Sequence, residues 1–287
     1  MSSAVDRPAA RRAVLTSDHL VRGGGAGQRL LGLMLRHLYL LRSSWTRVFD
    51  LVYWPILQMI VWGFITVFLQ NNSSWVLRAG GILIGGVLLW DVLVRGQFGM
   101  TISLLEEMWS RNLANLFVSP LRPLEFAASL MLMSLLRSAV GVLPAAFLAI
   151  PLFAYSIFDL GLPLIAFWTV LIAFSWAVGL VIAAGLLRFG LAAESYAWAS
   201  IFILSPITGV YYPVATLPGW LQPVSWALPP THVFEGLRAL VIDNVWRGDL
   251  MLSAALLDVA YVVGAAILFL LAFGRARREG RLFHSGE

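Results

Sequence analysis

The chain has 287 residues, of which 60% are hydrophobic and only 12% are charged, and its mean hydropathy is +0.83. A soluble domain carries about 25% charged residues, and several apolar runs here reach the roughly 20 residues that a membrane-spanning helix needs. The formal charge of +5 comes from arginine alone, since the chain contains no lysine and no cysteine. Composition therefore predicts a polytopic membrane protein and excludes disulfides and thiolate metal sites.

The missing lysine also excludes a Walker-type nucleotide site, whose phosphate-binding loop requires that residue. The four histidines lie far apart in the sequence and form no metal-ligand spacing. We therefore predict no catalytic residues, no metal and no cofactor bound by this chain, and no nucleic acid partner.

The chain begins with a small, polar and basic stretch, residues 1–27, which we interpret as a flexible cytoplasmic tail because it lacks the apolar core of a secretory signal. Residues 28–48 then predict an amphipathic helix. Its apolar residues recur three and four apart, and its arginines lie off that stripe (Leu31, Met34, Leu38, Leu41, Trp45 and Val48 against Arg29, Arg36 and Arg47). Such a helix lies in the membrane interface and is attracted to anionic lipid. The alternative is a soluble helix that packs on a partner.

Six membrane-spanning helices are predicted, at about residues 51–69, 79–98, 125–152, 163–187, 191–212 and 251–273. The charged residues inside them include Asp91, Arg137 and Asp258. A charge at the centre of a span costs about 2.5–3.5 kcal/mol on insertion scales. We expect Asp91 to pair with Arg95 and Asp258 to pair with Arg137; the alternative for Asp258 and Arg137 is that they contact substrate or form a gate.

A short charged segment, residues 101–126, separates the second span from the third. Leu105, Trp109, Leu113 and Leu116 share one helical face, whereas Glu107, Arg111 and Asn115 share another. Pro120 and Pro123 end the pattern. We predict a helix parallel to the membrane that presents a polar stripe to a cytoplasmic partner; the alternative is an ordinary connecting helix.

Residues 213–246 are rich in proline and tryptophan and fit neither a span nor a soluble loop. We predict two short helices that dip into the membrane from the outside, since irregular backbone at that depth needs protein or water to satisfy it. Glu235 and Arg238 lie three residues apart and can form an ion pair with each other. The residues assigned to this re-entrant segment are Pro218, Trp220, Pro229, Pro230, Glu235 and Arg238.

Six spans place both termini on one side of the membrane. Sixteen arginines then lie on that side and three on the other. Because short cytoplasmic segments carry the excess of positive charge, both termini and the 101–126 helix are expected in the cytoplasm. Residues 279–287 form the predicted C-terminal cytoplasmic tail.

The motifs in this order resemble the membrane-spanning permease subunit of ABC-2 type exporters over about residues 28–278. The resemblance is carried by the amphipathic first helix, by Glu106-Glu107 followed by the run LFVSPL at 116–121, and by the run LPGWL at 217–221 with Pro229-Pro230 and Glu235 before the last span. This chain has Arg111-Asn112 where many members have a glycine–threonine pair.

The resemblance implies a homodimer with a path at its interface and two separate ABC ATPase subunits, which bind ATP and Mg²⁺ and rock the spans. It also implies a bacterial inner membrane location and an amphipathic or lipid-linked cargo (a drug, glycolipid or polysaccharide). From the residues, the predicted ATPase-coupling set is Glu106, Glu107, Arg111, Asn115 and Arg36.

Two other function classes remain open. An integral-membrane enzyme acting on lipids would need paired acids, a histidine or a metal cluster near one interface. An ATP-independent membrane scaffold would need none of these.

Overall fold

The structure is a computed structural model, and it describes residues 25–72, 76–110, 112–113 and 122–278. All regular structure within these residues is helical, so the all-α prediction is confirmed for them. The described α-helices are α1 Ala26–Arg42, α2 Trp45–Asn72, α3 Val76–Trp109, α4 Pro123–Phe153, α5 Leu162–Phe189, α6 Glu194–Ile207, α7 Gln222–Trp226, α8 Pro229–Asp243 and α9 Gly248–Arg278. Most of the predicted N-terminal tail and all of the predicted C-terminal tail lie outside the described residues.

Five helical segments of the described chain are long and apolar enough to cross a membrane. They are Trp45–Gln70, Gly81–Trp109, Pro123–Phe153, Leu162–Ile207 and Gly248–Arg278. The chain is thus a multi-pass membrane protein. The predicted count of six spans depends on whether α5 and α6 are counted as one span or as two. At 14 residues α6 is about 21 Å long, shorter than the roughly 30 Å hydrocarbon core.

Helices α5 and α6 form an antiparallel pair, joined by a 3₁₀ turn at Gly190–Ala193. Ile182 and Tyr196, next to the turn, line the same apolar cavity as Phe174 and Leu204, farther from it. The chain therefore reverses direction between these helices, although they form one continuous apolar segment.

Helix α3 is the centre of the bundle and packs against α2, α4, α5 and α8. In its membrane segment 83% of the residues are buried, against 28% in α2 and 22% in α9. Two glycines allow the close approach: a Cβ on Gly99 would lie 2.8 Å from Ser134 Cα of α4, and one on Gly96 would clash with Ser175 of α5. Small residues at such contacts let membrane helices approach closely.

Residues 101–126 do not form one separate helix as predicted, because both ends of this segment belong to the flanking helices. Residues 101–109 are the last turns of α3, and 123–126 are the first turn of α4. The hydroxyl groups in this stretch form hydrogen bonds within α3: Thr101 Oγ1 donates to the carbonyl of Gln97 at 3.1 Å, and Ser103 Oγ donates to that of Gly99 at 2.7 Å. Residues 114–121, which include Asn115 and the run LFVSPL, lie outside the described residues.

The predicted amphipathic helix over residues 28–48 is shorter than expected. It ends at Arg42, and Trp45–Val48 belong to α2. Ser43 and Ser44 break it: Ser43 Oγ donates to the carbonyl of Leu40 at 3.0 Å. Serine hydroxyls that compete for backbone groups favour helix ends over helix interiors.

Candidate functional site

Four helices contribute charged side chains to one end of the bundle, where α3 ends and α4 begins. We call this set the ion-pair cluster; its members are Arg29 and Arg36 of α1, Arg47 of α2, Glu106 and Glu107 of α3, and Glu125 and Arg137 of α4. Each carboxylate in the cluster is paired with an arginine from another helix.

Glu107 joins α3 to α1. Its side chain is fully buried, and its two carboxylate oxygens accept from Arg36 Nε at 2.9 Å and Nη2 at 3.0 Å. Asn112 Nδ2 also donates to it, at 2.8 Å. Paired N–H donors of a guanidinium that meet both carboxylate oxygens form a geometrically specific contact. This contact therefore fixes α1 against the end of α3.

Glu106 joins α3 to α4 and α2. Arg137 Nη2 lies 3.0 Å from one of its oxygens, and both side chains are 5% exposed. The other oxygen lies 3.3 Å from Arg47 Nη1. Two arginines thus compensate one carboxylate that is almost entirely removed from water.

Glu125 joins the start of α4 to α1. Its oxygens accept from Arg29 Nε at 3.0 Å and Nη2 at 2.6 Å. The same carboxylate accepts the backbone N–H of Arg122 at 3.1 Å, which caps α4. The hydrogen bond to Glu125 raises the pKa of the Arg29 guanidinium above its ordinary value.

His37 lies between these pairs and is fully buried on α1, with no hydrogen-bond partner for either ring nitrogen among the described residues. The pKa of its imidazole is lowered to about 4, mainly by burial. The positive charges of Arg137 and, to a smaller extent, Arg36 also lower this pKa, whereas the negative charge of Glu106 raises it. The ring is therefore neutral at pH 7, and the Leu33–His37–Leu41 face of α1 packs against the bundle.

A second polar contact lies after α6 and binds α8 to the preceding loop. Arg238 Nη2 donates to the carbonyls of Gly209, Val210 at 3.3 Å and Tyr212 at 2.8 Å. Glu235 lies 3.2 Å from Arg238 Nη1 and accepts the backbone N–H of Val214 at 2.7 Å. We call this set the Glu235–Arg238 clasp; the two side chains do pair, as predicted.

The clasp and the ion-pair cluster lie at different heights along α3. A Cβ on Gly86 would lie 3.2 Å from the carbonyl of Val210, which places the clasp loop beside Gly86. Glu106 is twenty residues farther along the helix, about 30 Å at 1.5 Å per residue. That separation equals the thickness of a bilayer hydrocarbon core.

A family model described as ABC-2 type transporter matches residues 38–242, which is more than two thirds of the chain. The chain belongs to the ABC-2 type transporter family. It is therefore a membrane permease of an ABC transporter, a class that works with an ABC ATPase. A search of curated proteins finds no match.

The predicted coupling residues of this ABC-2 permease are placed differently from the expectation. Glu106 and Glu107 do not form an exposed stripe, because both are buried and paired. Arg36 is the member that reaches solvent, with 39% of its side chain exposed. Arg111 and Asn115 lie outside the described residues. A coupling role for this set stays a prediction.

Two predicted pairs between charges inside the membrane are wrong. Arg137 pairs with Glu106 and not with Asp258, because the acid at the end of α3 is closer. Asp91 and Arg95 share α3 but form no ion pair there, and Asp91 Oδ2 and Asp258 Oδ1 have no hydrogen-bond partner in the described part of the permease. Asp91 and Asp258 are buried.

The residues of the re-entrant prediction occupy the loop and helices before α9. Pro229 and Pro230 form the buried first turn of α8, a position that tolerates proline because its N–H has no helical partner. Pro218 lies in the loop before α7, and Trp220 is 75% exposed. The depth at which these residues enter the membrane stays a prediction.

Sequence reasoning missed Arg29, His37, Arg47 and Glu125 as members of this site. One signal was present: Arg29 and Arg36 are seven residues apart, so they lie on the same face of α1 two turns apart. Their acidic partners are 96 and 71 residues away in the sequence, and no local pattern pairs them.

Replacing Arg137 with methionine (Arg137→Met) should lower the free energy of unfolding by about 3 kcal/mol, because Glu106 loses its buried partner and keeps only the partly exposed Arg47. Adding Glu106→Gln to this variant should recover part of the loss, since the buried carboxylate that lost its partner is then neutral. Thermal unfolding in a mild detergent measures both effects. Arg247→Gln is the control, because its pair with Asp249 is exposed and its removal should leave the unfolding temperature unchanged. Equal losses in the single and double variants would contradict a buried-charge origin.

His37 should make the permease less stable at low pH. The unfolded chain binds a proton at His37 below about pH 6.5, whereas the folded chain resists it until about pH 4. Stability therefore falls as the pH drops through this window, by about 2 kcal/mol between pH 7 and pH 5. Unfolding temperatures of the wild type and His37→Phe should diverge in their pH dependence, with a flatter profile for the variant. Parallel profiles would show that His37 does not titrate in this way.

Proposed function

We propose that this chain is the permease of an ABC exporter and acts as a homodimer in the bacterial inner membrane. In this proposal six spans cross the membrane, with α5 and α6 as the fourth and fifth, and both termini are cytoplasmic. The cargo is amphipathic or lipid-linked: a drug, a glycolipid or a polysaccharide. Two separate ATPase subunits bind ATP and Mg²⁺.

The observation that carries the coupling proposal is the ion-pair cluster. Helix α1 is held by bidentate contacts to Glu107 at the end of α3 and to Glu125 at the start of α4. Because α3 is the most buried span, a force on α1 would be transmitted to the centre of the bundle. An ATPase that moves α1 can therefore move the spans without entering the membrane.

The surface around the cluster supports a docking place for that ATPase. Arg36 keeps part of its guanidinium accessible, and Trp109, at the end of α3, is 54% exposed. Arginine and tryptophan are the residue types that most often dominate protein interfaces. The exposed Leu31, Leu35 and Leu38 of α1 form an apolar surface suited to the membrane interface.

The orientation can be tested with single cysteines, because the natural chain contains none. Trp109→Cys and Trp220→Cys place one thiol at each of two exposed positions, the first lying two residues after Glu107 of the cluster and the second in the loop before α7. In sealed vesicles, a membrane-impermeant maleimide should label Trp109→Cys only from the cytoplasmic side and Trp220→Cys only from the outside. Labelling of both positions from the same side would overturn the proposed orientation.

The coupling proposal predicts that vanadate-sensitive, Mg²⁺-dependent ATP hydrolysis co-purifies with the full-length permease. Spin labels at Trp220→Cys on two copies should change their separation when the purified complex binds ATP and vanadate. Arg36→Gln should reduce this change severalfold, because α1 loses its bidentate contact to Glu107.

Arg42→Gln is the matched control, since Arg42 is exposed in the last turn of the same helix and lies outside the ion-pair cluster. An equal effect of both substitutions would show that the cluster does not carry the coupling. Absence of any ATPase activity in the purified complex would favour the scaffold, and turnover of lipid by the permease alone would favour an enzyme. Among the described residues no three His, Asp or Glu side chains are grouped as a metal site.

A further inference from the structure

A laterally open groove runs between α5, α6 and α9 at the end where α9 terminates. Its wider part has a volume of about 770 Å³, and Arg188 of α5 and Arg275 of α9 line its mouth. The remaining lining is almost entirely apolar, with Leu268 and Leu271 of α9 along one wall.

The groove continues toward the middle of the bundle. A second cavity of about 450 Å³ shares Val181, Ile182 and Tyr196 with the first and extends to Tyr261 of α9. From Arg275 to Tyr261 is 14 residues, about 21 Å along a helix, whereas one leaflet contributes about 15 Å of hydrocarbon. The continuous apolar surface therefore spans the depth of a leaflet.

The groove also opens to the side of the bundle. Val181, Tyr196, Leu268 and Leu271 all line it and are between 46% and 60% exposed. In a membrane these residues meet acyl chains, so a lipid reaches the groove by lateral diffusion. A small water-soluble anion could use only the basic mouth.

We propose that this groove binds one anionic phospholipid of the adjacent leaflet. Its phosphate lies between the guanidinium groups of Arg188 and Arg275, and an acyl chain follows the apolar wall between α5 and α9. Arginine matches phosphate oxygens with paired N–H donors. Helices α5 and α9 pack against each other along this groove, so the lipid would bind where the last span meets the bundle.

The proposal needs neither the ATPase nor transport, so its test is independent of the proposed function. Full-length permease is stripped of lipid in a neutral detergent and titrated with palmitoyl-oleoyl phosphatidylglycerol or with phosphatidylcholine of the same chains. Native mass spectrometry counts the bound lipids. We expect the first site to prefer phosphatidylglycerol roughly tenfold to thirtyfold, from two guanidinium groups near an anionic headgroup.

The double variant Arg188→Gln with Arg275→Gln should lose this preference. The matched control is Arg277→Gln with Arg278→Gln, which removes the same charge from the same end of α9 without touching the groove lining, and it should keep the preference. An equal loss in both variants would reduce the effect to general surface charge and overturn the proposal.

Three further outcomes separate the alternatives. Ala272→Phe narrows the apolar part and should weaken binding of both lipids; unchanged binding would place the acyl chain elsewhere. Millimolar inorganic phosphate should not displace the lipid, and full displacement would show a phosphate site only. If the double variant changes the number of permease copies and not the number of lipids, the groove is an interface between copies and the proposal is wrong. An unchanged unfolding temperature verifies that each variant is folded.

Discussion

The structure depends on the compensation of buried carboxylates at the end of α3. Glu106 and Glu107 are removed from water, and a buried charge without a partner is far more costly than one held in a hydrogen-bonded pair. Their partners come from three other helices, Arg36 of α1, Arg47 of α2 and Arg137 of α4. Two adjacent acids thus determine how α1, α2 and α4 are placed around α3.

This constraint gives the bundle two polar anchors with an apolar centre between them. The ion-pair cluster lies at one end of α3, and the Glu235–Arg238 clasp lies beside Gly86, about 30 Å away. In the clasp, Arg238 satisfies backbone carbonyls of a loop that has few helical hydrogen bonds of its own. Irregular backbone near a membrane requires such partners. Each anchor therefore adds polar contacts to the apolar ones that hold its segment in place.

Membership of the ABC-2 type transporter family implies partnership with an ABC ATPase. The proposed route for coupling to that ATPase begins at α1, an element outside the predicted spans that is tied to the most buried one. Peripheral α2 and α9 leave most of their surface exposed, which makes them available to lipid or to a second copy. The α5–α6–α9 groove lies on this peripheral side, where small shifts of α9 would alter its width.

Sequence by itself determined the membrane class, the apolar segments and the helical state of the described residues, because hydrophobicity and proline placement act locally. It also determined the Glu235–Arg238 pair, whose members are three residues apart on one helix. It could not determine where α3 ends, because a charged stretch is interpreted as solvent-exposed unless its distant ion-pair partners are known. Only the tertiary structure decided that Glu106 pairs with Arg137 and that Glu107 is buried against Arg36, because those arginines lie 31 and 71 residues away in the sequence. Asp258 was assigned Arg137 by charge balance, and helix packing placed Arg137 against Glu106 instead.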